Sequence, residues 1–181
     1  KRLQEGLGRT SIYNVIILRP TLMFGWFDRK HLGWLSRFMA RVPVFPVPGT
    51  GRYMRQPLYA GDFANIIIAC LKGRVSTGCY DISGREKIAY IDIIRAIRKV
   101  KGLSTPIVRL PYRLFWSLLW LWSLFDRNPP FTTQQLEALV AEDEFPLINW
   151  PEIFAVTPMR FEEALTETFT DPRYSTITLD F

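Results

Sequence analysis

Asn14-Val15-Ile16-Ile17-Leu18-Arg19-Pro20-Thr21-Leu22-Met23-Phe24-Gly25 opens as an unbroken run of β-branched and apolar residues and closes in a short loop. A strand with one wet face alternates apolar and polar residues. A continuous run instead suits a strand buried on both faces, as in a parallel sheet covered by helices. The spacing predicts that strand over Asn14–Leu18. Arg19-Pro20 ends it, because proline has no N–H to give the ladder. Ligands of open α/β sheets bind beyond the carboxyl ends of the strands. The loop Pro20-Thr21-Leu22 is therefore a candidate to hold backbone groups against a planar ring. Taken alone, the run reads equally well as an ordinary strand terminator.

Residues 1–9 read as the end of a helix stopped near Gly8. The opening Lys1-Arg2-Leu3-Gln4-Glu5 has the pattern of a helix interior, which leads us to expect a polypeptide that starts further upstream. Downstream, Leu35, Phe38, Met39 and Val42 fall at helical spacing over roughly 30–41. The three prolines between Val42 and Pro48 require an extended edge segment, and Gly49-Thr50-Gly51 a turn. Leu58-Tyr59-Ala60 reads as a short strand. Phe63, Ile66, Ile67, Cys70 and Leu71 form a helix stripe. Gly78–Ile82 is a further strand, and Tyr90, Ile93, Ile94, Ile97 and Val100 mark an amphipathic helix ended by Gly102. Pro106–Leu110 is extended, Thr132 and Gln135 form a capping box, and Phe161, Ala164, Leu165 and Phe169 mark the last helix. Strands alternating with helices define an α/β chain.

Further chemistry lies in Pro48-Gly49-Thr50-Gly51-Arg52-Tyr53-Met54-Arg55-Gln56-Pro57-Leu58-Tyr59-Ala60-Gly61-Asp62-Phe63-Ala64. Arg55 has no acidic partner nearby in sequence. A phosphate suits its planar fork, and a solvated surface arginine is the plainer alternative. Asp62 falls in the first turn of a helix, where capping or the helix dipole gives about 0.3–1 kcal/mol.

Composition bounds the rest. The 181 residues, 48% hydrophobic, suffice for one domain with a real core. Cys70 and Cys79 read as reduced, buried thiols of a cytoplasmic protein. One histidine, His31, leaves no histidine-based metal cluster and no Ser-His-Asp triad. Net charge +6 favours anionic partners, yet the cations are scattered without the clustering of a nucleic-acid surface, so no nucleic-acid partner is expected. Leu114–Phe125 is apolar nearly all round and too short for the roughly 20 residues that span a bilayer. Three readings stay open for it: a buried core or subunit contact such as a homodimer interface, a wall for an apolar ligand, or a helix lying in a membrane interface.

Leu18-Arg19-Pro20 to Gly25, Arg55 to Ala64, Gly78-Cys79-Tyr80-Asp81-Ile82-Ser83-Gly84 and Thr157-Pro158-Met159-Arg160-Phe161-Glu162-Glu163-Ala164-Leu165 occur in the order of four loose motifs. Together they resemble the extended short-chain dehydrogenase/reductases, the NAD-dependent epimerase/dehydratase family. The resemblance implies the C-terminal half of a Rossmann-like NAD(P)-binding fold with a small mixed α/β substrate-binding subdomain. Residues 1–25 would end the dinucleotide-binding sheet, and 26–181 would be mostly substrate-binding, with 56–84 returning to the core sheet. It implies that Pro20, Thr21 and Leu22 lie beside the nicotinamide of NAD or NADP, that Arg55 binds a phosphate, and that Tyr59 lines the same cleft. Lys1 with Glu5 fits the active-site helix, whose lysine holds the nicotinamide ribose and lowers the pKa of a tyrosine three residues earlier, and a solvated helix lysine is the plainer alternative.

The Gly-rich phosphate turn is missing, so the dinucleotide would be shared with an N-terminal half. Leu22 stands where nucleotide-sugar epimerases usually carry Asn, the insertion before Arg55 is short, and the family's second substrate arginine is not matched. These departures point to atypical members, similar to the nucleotide-binding accessory subunit of respiratory complex I, and set an apolar substrate beside a nucleotide sugar as the two alternatives. A hydride-transferring enzyme acting on a small molecule, a non-catalytic dinucleotide-binding or assembly protein, and a peripheral membrane protein remain as alternatives.

Overall fold

The computed structural model describes residues 15–28, 30–73, 75–125, 132–141, 147–173 and 175. The helix expected over 1–9, with Lys1 and Glu5, lies outside them. The order of elements is β1 (Ile16–Pro20), β2 (Met23–Phe24), α1 (Leu32–Arg41), β3 (Phe45–Pro48), β4 (Met54–Arg55), β5 (Leu58–Tyr59), α2 (Ala60–Leu71), β6 (Gly78–Ile82), β7 (Ile88–Ala89), α3 (Tyr90–Val100), β8 (Ile107–Leu110), α4 (Tyr112–Phe125), α5 (Thr133–Val140), α6 (Trp150–Phe154) and α7 (Phe161–Thr170).

β1 pairs parallel with β6, Ile16 opposite Gly78 and Pro20 opposite Ile82. β2 pairs parallel with β5, β3 parallel with β8, and β4 antiparallel with β7. The chain is thus α/β, built on parallel pairs joined through helices, as the apolar run predicts. β1 is half-buried throughout and not buried on both faces. Among the described residues it has a partner, β6, on one edge alone.

The fold is organised around α3. Its Tyr90, Ile91, Ile93, Ile94 and Ile97 are buried, and it packs against α7 and α1. Ile93 and Ile97 join Phe24, Tyr59, Phe161 and Leu165 in one cluster. Ile94 and Tyr90 join Met39, Phe45, Val47 and Tyr53 in another. Burying five such side chains stabilises the fold by roughly 1.5–3 kcal/mol each before the entropy of ordering them. α3 stops at Gly102, whose φ of +61° is a left-handed turn that favours glycine.

α2 turns a different stripe inward than its apolar spacing suggests. Asp62, Ile66 and Ala69 are buried, while Ile67 and Leu71 are 40% and 82% exposed. Cys70 and Cys79 are half-buried. The capping box of α5 forms as expected: Gln135 N–H donates to Thr132 Oγ1 (3.2 Å) and Thr132 N–H to Gln135 Oε1 (2.9 Å).

Candidate functional site

Three segments converge where β1 ends. Thr21 N–H donates to the Ile82 carbonyl at 3.0 Å, and Leu58 N–H donates to the Leu22 carbonyl at 2.8 Å. Thr21 Oγ1 donates to the Gln56 carbonyl at 3.4 Å, which also accepts Gly84 N–H at 3.3 Å. Pro20–Leu22, Gln56–Tyr59 and Ile82–Gly84 are therefore tied into one backbone network at the carboxyl ends of β1 and β6. Gly84 is required by closeness, since a Cβ there would meet the Pro57 carbonyl oxygen at 2.1 Å. Gly25, at φ +143°, closes the loop against Ala60.

Ser83 is 1% exposed. Its carbonyl accepts the indole N–H of Trp150 at 2.9 Å, and its hydroxyl has no partner among the described residues. Leaving a buried hydroxyl unpaired costs about 1–3 kcal/mol. Ser83 belongs to the Gly78–Gly84 motif, but nothing in the sequence marks its hydroxyl, and Trp150 does not stand out. The one signal for the Trp150 helix is Pro151 beside it, a residue favoured in a first helical turn.

Arg19 leaves this mouth sideways. It sits opposite Asp81 in the β1–β6 register and pairs with it, Nε to Oδ1 at 2.7 Å, in a half-exposed ion pair. Such pairs contribute roughly 0–1 kcal/mol.

Arg55 is buried, at 7% exposure. Its Nη1 donates to the carbonyls of Met54 (3.0 Å) and Ala141 (2.9 Å), and its Nη2 to those of Ala138 (3.2 Å) and Leu139. The guanidinium thus clasps the carboxyl end of α5, where orphan carbonyls concentrate partial negative charge. It also lies over the Tyr53 ring at 5.6 Å. This differs from the open phosphate ligand that the sequence suggests. To serve a phosphate, the clasp would first have to release the helix end.

Tyr59 is 4% exposed and packed among aromatics, 5.7 Å from Phe24 and 5.8 Å from Trp26. Its ring belongs to the core and also lines a small cleft with Pro57, Asp62, Gly84 and Met159. Asp62 caps no residue of its own helix. Both its carboxylate oxygens accept Met159 N–H, at 3.2 and 3.3 Å. Burial pushes its carboxyl up to about 6, and the bond from Met159 opposes that rise. Glu86 Oε1 accepts Phe161 N–H at 2.7 Å, so two carboxylates hold the start of α7.

A second feature lies at the apolar helix, for which a ligand wall was one of the three open readings. An apolar space of about 620 Å³ opens between α4 and the body, walled by Trp34, Phe38, Phe45, Leu110, Phe115 and Trp122 among others. That volume and lining are typical of a small-molecule site. No group of metal-ligating side chains occurs among the described residues.

No protein-family model and no curated protein matches the chain. Solved structures do. UDP-glucose 4-epimerase of Thermotoga maritima, solved with UDP-glucose, is 15% identical at a TM-score of 0.66, with 92% of this chain and 48% of that one covered. UDP-glucuronic acid 4-epimerase of Bacillus cereus, solved with a fluorinated UDP-sugar and NAD, is 16% identical at 0.64, covering 93% and 48%. dTDP-glucose 4,6-dehydratase of Bacillus anthracis, solved with NAD, is 16% identical at 0.62, covering 95% and 50%. The chain has the Rossmann-like epimerase/dehydratase fold and spans about half the length of these structures.

Proposed function

We propose that this chain is the C-terminal, substrate-binding portion of an NAD(P)-dependent oxidoreductase or epimerase. The observation that carries this reading is the convergence of Pro20–Leu22, Gln56–Tyr59 and Ile82–Gly84 beyond the carboxyl ends of two parallel strands. This is where α/β sheets take their ligands. The likeness in fold to enzymes solved with NAD adds to it. Residues 1–25 would end the dinucleotide-binding sheet, and 26–181, apart from the returning 56–84, would shape the substrate side.

The residues present fit one end of a dinucleotide. Pro20, Thr21 and Leu22 are held by backbone bonds to Ile82 and Leu58, and they would flank the nicotinamide. The buried, unpaired Ser83 hydroxyl is suited to meet a polar group arriving there. The Gly-rich cradle for the phosphates would come from the other half. When bound, the dinucleotide supplies and takes up the hydride. Lys1 would hold its ribose and lower the pKa of an upstream tyrosine acting as general acid/base.

For the substrate, the apolar alternative is better supported than a nucleotide sugar. A diphosphate calls for cationic forks, and that of Arg55 is engaged by a helix end. The 620 Å³ cavity is lined by aromatic and aliphatic side chains and matches a hydrocarbon portion instead. Isothermal titration of the full polypeptide with NADH and with NADPH is the test. Saturable binding of either supports the reading, and binding of neither ends it. Competition by UDP-glucose would overturn the substrate preference while leaving the cofactor intact.

A further inference from the structure

We propose that α4 anchors this protein to the surface of an anionic lipid bilayer. Leu114, Trp116 and Trp120 are 36–49% exposed on this one helix, and Leu118, Leu121 and Trp122, which line the cavity, are 48–54% exposed. Soluble surfaces rarely leave so many large apolar side chains exposed along one helix. The helix has 14 residues, a length of about 21 Å. That falls short of the roughly 30 Å hydrocarbon core, and no described helix is long and apolar enough to cross a membrane. The helix must therefore lie along the interface.

Its side chains divide accordingly. At 100° per residue, Phe115, Leu118, Leu119, Leu121 and Trp122 turn to the cavity. Trp116, Trp120 and Arg113 fall on the opposite side. Tryptophan joins an apolar ring to an N–H donor and favours the headgroup level, and arginine keeps its head among the phosphates.

Charge selects the partner. Arg95 is ion-paired with Asp92 at 2.9 Å, but residues 96–125 contain Arg98, Lys99, Lys101, Arg109 and Arg113 and no Asp or Glu. Arg109 and Arg113 are exposed and flank the start of α4. A second copy would bring like charges together around this helix, whereas an anionic lipid surface neutralises them.

Flotation of the full polypeptide with vesicles of phosphatidylcholine and phosphatidylserine in equal parts tests the assignment. The native protein floats, and more weakly as salt rises. Arg109→Gln/Arg113→Gln lowers the vesicle affinity about thirtyfold. Trp116→Ser/Trp120→Ser lowers it about tenfold or more while the circular dichroism stays native. Native protein left wholly in the soluble fraction overturns the proposal. So does equal flotation of the tryptophan variant. Light scattering that shows a dimer without vesicles, lost in that variant, assigns the face to a second copy and overturns it as well.

Discussion

Replacing Arg55 by Ala removes four donations at once, three of them into carbonyls at the end of α5, those of Ala138, Leu139 and Ala141. A hydrogen bond involving a charged partner contributes about 1.5–3 kcal/mol, which for three bonds sums to about 4.5–9 kcal/mol. The bonds share one cation, so they are not additive. Water can also reach the end of a helix whose only buried residue is Leu136. A loss of about 3 kcal/mol follows, or about a hundredfold loss of amide protection in α5. Hydrogen exchange on the full polypeptide reads this segment directly. Arg55→Lys keeps the charge without the fork and should lose about half as much. The reasoning fails if Arg55→Ala leaves α5 protection native while weakening a diphosphate ligand tenfold. The guanidinium would then serve the ligand and not the helix.

Gly84→Ala forces a methyl against the Pro57 carbonyl. We expect a loss of about 3 kcal/mol in chemical denaturation and a loosened Thr21–Gln56–Gly84 network. A change within about 0.5 kcal/mol would mean that the three segments do not lock together. Asp62 gives a pH signature. Its native carboxyl is raised from 3.8 to about 6, so the neutral form is favoured by folding. The stability it contributes is complete below about pH 4 and is lost as pH rises through about 6, by up to about 3 kcal/mol. Asp62→Asn abolishes this slope, and parallel pH profiles of the two proteins would refute it.

How far the sequence carries the fold depends on where each element finds its partners. β1, β6 and α3 are legible because their signals are local and repeated: a β-branched run, a short apolar strand closed by Ser83-Gly84, a helix stripe closed by Gly102. The capping box at Thr132 and Gln135 is legible for the same reason. β2, β4 and β7 have two residues each, too few for a period, and exist because a distant strand supplies their bonds. The inward stripe of α2 escapes sequence reasoning because Ile66, Ala69 and the exposed Ile67 and Leu71 are all apolar, and packing alone chooses among them. At the site, the loop Pro20–Leu22 was visible as a strand end. The clasp on Arg55 was not, because its partners are backbone carbonyls more than 80 residues away. Every residue has a carbonyl, so the sequence holds no mark of which ones a guanidinium will find.

One helix links the two proposals. α4 lines the cavity with Phe115, Leu119 and Trp122 and turns Trp116 and Trp120 away from it. If those tryptophans rest in headgroups, a hydrocarbon ligand can pass from the bilayer into the cavity past α4, whose cavity side is apolar. It need not then bear the roughly 25 cal/mol per Å² that exposing its surface to water would cost. The two faces should therefore fail separately. Leu119→Arg places a charge on the half-buried cavity wall and should abolish binding of a fluorescent fatty acid, with flotation on anionic vesicles unchanged. The outward tryptophan variant should do the reverse towards a short-chain, water-soluble probe. If Leu119→Arg releases the protein from vesicles while the probe still binds, the helix is turned the other way round, and the assignment of its two faces is wrong.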